Sequence, residues 1–132
     1  MICDIVYIKV FLLLGLEHEH QRPDRDAYIS ITSKENRVCP VNSLHLEKFH
    51  PDKVTDYGLS YDVCSIMHYG PRQLRPVCSL YPKHEVSCHV KTPENVMSYI
   101  TTLGQRIGLS ELDIRILNKR YPCGGRLCHI TY

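Results

Sequence analysis

Gly15–Asp26 reads GLEHEHQRPDRD: one glycine, two histidines, four carboxylates and the rigid pair Arg22-Pro23 within twelve residues. An apolar run, Ile5–Leu14, broken only by Lys9, leads into it. Such a run predicts a helix buried by neighbours on every side. Gly15 can take the left-handed conformation that ends a helix, and Pro23 keeps the following segment extended or turned. A histidine three residues past a helix-ending glycine can turn back toward that helix. A neutral imidazole there is a good zinc donor, so His18 is the first candidate ligand. His20, two residues on, can share one side of an extended strand with it. That pair, with Glu17 or Glu19, offers a small metal site of its own, although such pairs are common by chance.

The rest of the chain bounds what this stretch can belong to. At 132 residues it is one domain or part of one. A net charge of +2 with no Lys/Arg run argues against nucleic-acid binding. Seven cysteines point to an oxidising compartment and to disulfides. No stretch reaches the roughly 18 apolar residues of a membrane helix. Met1–Leu16 does not read as a signal peptide, since it lacks a basic start and a small-residue cleavage site and carries Asp4 and Lys9.

Along the chain, Tyr28–Thr32 alternates like a short strand. Leu44–Phe49 offers one helical turn, and Pro51-Asp52 and Tyr57-Gly58 punctuate a loop. Pro71–Thr102, with four prolines and two cysteines, reads as a long loop. Ser110–Tyr121 is the clearest helix: Ser110 caps it, Asp113 completes a capping box, and Leu109, Leu112, Ile116 and Leu117 form a stripe. Pro122 and Gly124-Gly125 stop it. Arg126–Tyr132 reads as a frayed tail. Among cysteine pairs, Cys78–Cys88 brackets a short loop and is the local choice. Cys39–Cys64 and Cys123–Cys128 are further candidates.

Two more stretches join the first. Tyr61-Asp62 precedes Ser65-Ile66-Met67-His68-Tyr69. Gly104-Gln105-Arg106 precedes Gly108-Leu109-Ser110, Leu112-Asp113-Ile114, Asn118-Lys119, Tyr121 and Cys123. Taken alone, Met67 and Tyr69 would be read as core filler. Together with Gly15–Asp26, in this order, the three stretches resemble the astacin zinc endopeptidases over roughly residues 13–77 and 103–123. The resemblance implies an α+β metzincin-like catalytic domain over residues 1–125, truncated to its C-terminal subdomain, with two main helices, a loop-rich middle and little strand; residues 126–132 form the tail. It implies zinc as cofactor, a peptide or protein substrate, and a place in the secretory pathway or outside the cell.

By the same resemblance, His18 is the third zinc histidine. Met67 is the apolar floor beneath the metal, and Tyr69 is a displaceable ligand that steadies the transition state. Gly15 is the helix break, Glu19 ties down a buried amino terminus, and Cys123 is a closing cysteine without its usual partner. In the wider pattern H-E-x-x-H-x-x-G-x-x-H, Gly15 and His18 fit. The first histidine falls on Ile8, the general-base glutamate on Lys9 and the second histidine on Leu12. Isoleucine and leucine offer no lone pair, and a lysine repels a cation. The chain as written is therefore expected to hold no stoichiometric zinc and to cleave nothing. Two origins remain open: a diverged pseudo-protease that binds peptide or a partner, or a sequence in which the residues before about Leu13 are not the family's own.

Overall fold

In the computed structural model the described residues are 2–33, 45–71, 73, 78–91, 97–100 and 103–122. The first helix, α1, spans Ile2–Leu13. It starts earlier than the apolar run suggests and ends where the sequence places its break. Gly15 has φ +76°. Its N–H donates to the Leu12 carbonyl at 2.9 Å, and the Leu16 N–H reaches back to Phe11 at 2.9 Å. This is a Schellman ending, and it is completed by burial of Phe11 and Leu16 in one cluster. The helix is not buried all round. Val10, Leu12 and Leu13 are exposed, because among the described residues nothing packs on that side.

Strand β1, Ile29–Ser33, pairs antiparallel with β2, Cys78–Pro82, from Ile29 opposite Pro82 to Ser33 opposite Cys78. Strand β3, Cys88–Lys91, lies between β4, Met97–Ile100, and the two-residue β5, Leu109–Ser110. The expected long loop over Pro71–Thr102 is thus corrected, since β2, β3 and β4 lie within it, while the strands remain short and few beside two main helices, as expected. Prolines at strand ends, such as Pro82, are compatible with pairing because no interior donor is lost. No helix forms over the described residues 45–49, and Leu44 lies outside the described residues.

Helix α2 spans Glu111–Arg120. Ser110 is its N-cap, and the reciprocal bonds with Asp113 form the expected capping box. Ile29, Tyr61, Leu80, Val86, Cys88, Val90 and Leu103 make one buried cluster, drawn from β1, β2, β3 and the loops beside them. Phe11, Leu16, Ile66, Met67, Leu109 and Leu117 make a second, to which α1 and α2 each contribute through Phe11 and Leu117. Each fully buried aliphatic side chain among them stabilises by roughly 1.5–3 kcal/mol.

The disulfides differ from those expected. Cys64 bonds Cys88, which rules out both Cys78–Cys88 and Cys39–Cys64. Cys78 is itself disulfide-bonded. Local spacing misled because β3 is brought to Cys64 by sheet pairing, not by chain proximity. Cys123 and Cys128 lie outside the described residues.

Candidate functional site

The segment after Gly15 delivers two imidazoles to one place. His18 Nδ1 lies 3.1 Å from the Met67 carbonyl. A carbonyl only accepts, so Nδ1 carries the proton and Nε2 keeps its lone pair. Burial pulls the His18 pKa below its ordinary value, with the Met67 bond opposing; the ring is neutral at pH 7. Met67 is 1 % exposed. The Tyr69 ring meets the edge of His18 at 4.8 Å between centroids and stacks on His20 at 3.9 Å.

Segment 65–69 is held on all sides. Asp113 accepts from Ser65 Oγ at 2.6 Å and from the Ile66 N–H at 2.9 Å. Arg106 donates to the Ile66 and His68 carbonyls at 2.9 and 3.0 Å, and Gln105 to the Cys64 carbonyl at 2.8 Å. His68 donates from Nδ1 to the Tyr69 carbonyl and accepts the Tyr61 hydroxyl at 2.7 Å. Gly70 and Gly104 cross so closely that a Cβ on Gly104 would stand 2.2 Å from the Gly70 Cα. The residues that sequence reasoning quoted without a role, Gln105 and Arg106, are therefore the braces of this turn. Asp113 was legible only as a helix cap.

A cleft of about 560 Å³ opens on the other side of His18. It is lined by His18, Met67, Glu19, Asp113, Arg22 and Arg120 among others, and Tyr69 is not among its walls. Glu19 Oε1 accepts from the Asp62 N–H at 2.7 Å and from Arg22 at 3.1 Å. Burial pushes its carboxyl up to about 8, against the pull of Arg22. Asp62 accepts from the Cys64 N–H and from the Ser110 hydroxyl, and burial raises it to about 6.

The three positions that lack donors are placed differently from one another. Ile8 packs against the cluster that holds Met67. Leu12 is 37 % exposed and lies outside that cluster, and Lys9 is exposed. Among the described residues no group of three His, Cys, Asp or Glu side chains is arranged to hold a metal ion. His18 and His20 have ring centroids 5.5 Å apart, but His20 directs Nε2 to the His45 carbonyl at 2.8 Å. Glu17 is exposed, and Glu19 is engaged by Asp62 and Arg22. Catalytic zinc takes three protein ligands and an open position; this donor set, with His18 and one phenol, does not meet that requirement.

A family model described as Astacin, a family of peptidases, matches residues 2–122. The chain is 34 % identical over 113 residues to an astacin-like metalloendopeptidase of Gallus gallus, covering 83 % of this chain and 24 % of that protein. It is 35 % identical over 131 residues to the zinc metalloproteinase nas-39 of Caenorhabditis elegans, covering 95 % and 13 %. It is 34 % identical over 127 residues to bone morphogenetic protein 1 of Xenopus laevis, covering 92 % and 16 %. The chain thus spans less than a quarter of the length of each of these relatives.

Proposed function

The chain belongs to the astacin family of peptidases, and on that premise we propose that it carries the third-histidine and Met-turn side of a metzincin peptidase site but, as its residues stand, neither retains the catalytic zinc nor hydrolyses peptide. The family's members are zinc peptidases, and zinc would supply a polarised carbonyl and an activated water. The observation that carries our reading is the donor set: His18 presents an Nε2 lone pair, without a partner among the described residues, beside Tyr69, while Ile8 packs half-buried against apolar core and Lys9 and Leu12 offer no ligand to a cation.

What the chain's own groups supply is recognition. The neutral His18 imidazole can accept a hydrogen bond, and the Tyr69 phenol can donate one to a peptide carbonyl. Glu19 is the proposed seat of an amino terminus, its carboxylate lying in the cleft where an ammonium group would offset the cost of its burial. A place outside the cell or in the secretory pathway follows from the family and agrees with the Cys64–Cys88 disulfide. Among the described residues no helix is long and apolar enough to cross a membrane. Peptide binding without cleavage is the second reading, favoured by the open cleft beside His18.

Metal analysis of the purified chain after dialysis against micromolar zinc tests the proposal. Less than one-tenth of an equivalent, about the level of adventitious metal, and no cleavage of a denatured protein substrate are expected. Restoring Ile8→His, Lys9→Glu and Leu12→His together should bring zinc retention to near one equivalent. Removing two of three direct ligands should cost far more than the 10–100-fold typical of ligand-supporting residues. One tightly held zinc in the unaltered chain would overturn the reading.

A further inference from the structure

The Tyr69 hydroxyl makes no hydrogen bond among the described residues. Among the described residues its ring is held by packing: the edge of His18 at 4.8 Å, the face of His20 at 3.9 Å with planes 28° apart, and the cluster around Leu103. His20, in contrast, is fixed without help from Tyr69. It is 0 % exposed. Its Nε2–H donates to the His45 carbonyl at 2.8 Å, and its own carbonyl accepts from the buried Arg25 at 2.8 Å.

The second nitrogen of His20 marks what the ring is used for. Nδ1 is buried and finds no partner among the described residues. Nε2 must donate to a carbonyl, so Nδ1 is a lone pair shut away from water, and such a group is costly. A glutamine could make the one hydrogen bond to His45 without an aromatic ring. The flat face is the part of His20 that the contact with Tyr69 uses. Stacked aromatic pairs hold their orientation beyond what buried area alone gives.

We propose that His20 is a positioning residue for Tyr69: a fixed aromatic platform that sets the direction of the phenol beside His18. This rests on our reading only in taking Tyr69 as the phenol of the site; it requires neither zinc nor hydrolysis. The consequence is a preorganised donor, since a hydroxyl without a bond of its own gains direction only from the ring that carries it.

NMR of the unaltered chain, with tyrosine rings labelled, is the first measurement. Cross-relaxation between the ring protons of His20 and Tyr69 is expected, and its absence in the folded chain overturns the proposal. The second measurement compares three variants. His20→Phe keeps a platform and loses the bond to His45. His20→Gln keeps a donor and loses the platform. His20→Ala loses both. The Tyr69 ring shifts should stay near the native values in His20→Phe and move toward those of a freely rotating tyrosine in the other two. The Ile29 and Leu80 amide signals report whether the core is retained. Native-like Tyr69 shifts in a folded His20→Gln, or their loss in a folded His20→Phe, show that the hydrogen bond and not the ring face does the positioning, and reject the idea. Should every variant unfold, the cross-relaxation in the native chain still decides. Failure of this test leaves the zinc result untouched, and the reverse also holds.

Discussion

Two glycines with almost the same φ, Gly15 at +76° and Gly104 at +77°, resist substitution for different reasons. At Gly15 a Cβ would meet the Arg120 guanidinium at 2.2 Å. Arg120 is exposed and can swing aside, so Gly15→Ala should cost mainly the backbone penalty, about 1–2 kcal/mol. At Gly104 the obstacle is the Gly70 backbone, also at 2.2 Å, which has no rotamer to change. Gly104→Ala should add the roughly 1–3 kcal/mol of an overpacked contact to the same backbone penalty. It should also shift the neighbouring Tyr69. Urea denaturation of the two variants ranks them, and equal losses would mean that the 70/104 crossing yields easily. Gly15 was legible in the sequence because its neighbours alone define a helix end. Gly104 was not, because its constraint is set by a backbone far away in the chain.

At the scale of elements, Asp113 makes α2 and the turn at 65–69 one unit. It caps the helix through Ser110 and also accepts from Ser65 Oγ and the Ile66 N–H. Asp113→Ala removes a cap worth about 1 kcal/mol and leaves buried donors unpaired at roughly 1–3 kcal/mol each. A total loss of about 3 kcal/mol or more is expected in denaturant unfolding, with a change in the Met67 methyl signal. Ser110→Ala should cost less, since Asp113 keeps its bonds to 65 and 66. The helix and its cap were readable from residues 109–121 alone, as was β1 from its alternation. β2, β3 and β4 were not: their pairing is set by partners distant in sequence, and prolines and cysteines hide their pattern. The same distance hid the Cys64–Cys88 bond, and it hid His20, whose contact with Tyr69 no spacing announces.

For the molecule as a whole, buried acids and buried histidines pull stability in opposite directions as pH changes. Burial raises Glu19 from 4.5 to about 8 and Asp62 from 3.8 to about 6. A raised carboxyl makes the folded state hold its proton more tightly than the unfolded chain does. Its contribution is therefore full below the unfolded value and is lost as pH rises through the folded one. Burial lowers His20 from 6.5 to about 3 and His68 from 6.5 to about 4. These histidines favour the folded state above pH 6.5, and that advantage is lost as pH falls toward the folded values. Between about pH 4.5 and 6 the two acids and two histidines nearly cancel. Above about pH 6.5 both histidines are neutral and Asp62 is ionised in either state, while Glu19 and the fully buried Asp113, which burial also raises, still hold their protons in the folded state, so stability should fall as pH rises toward 8. Below about pH 4 the acids are protonated in both states while His20 still charges only on unfolding, so stability falls again. Thermal midpoints from pH 3 to 9 should trace a plateau with two shoulders. Glu19→Gln should lessen the upper shoulder, leaving Asp113's part of it, and spare the lower one, because its amide has no proton to lose. An upper shoulder of undiminished slope in Glu19→Gln would move the alkaline loss to another group and remove Glu19 from the account of the cleft's electrostatics.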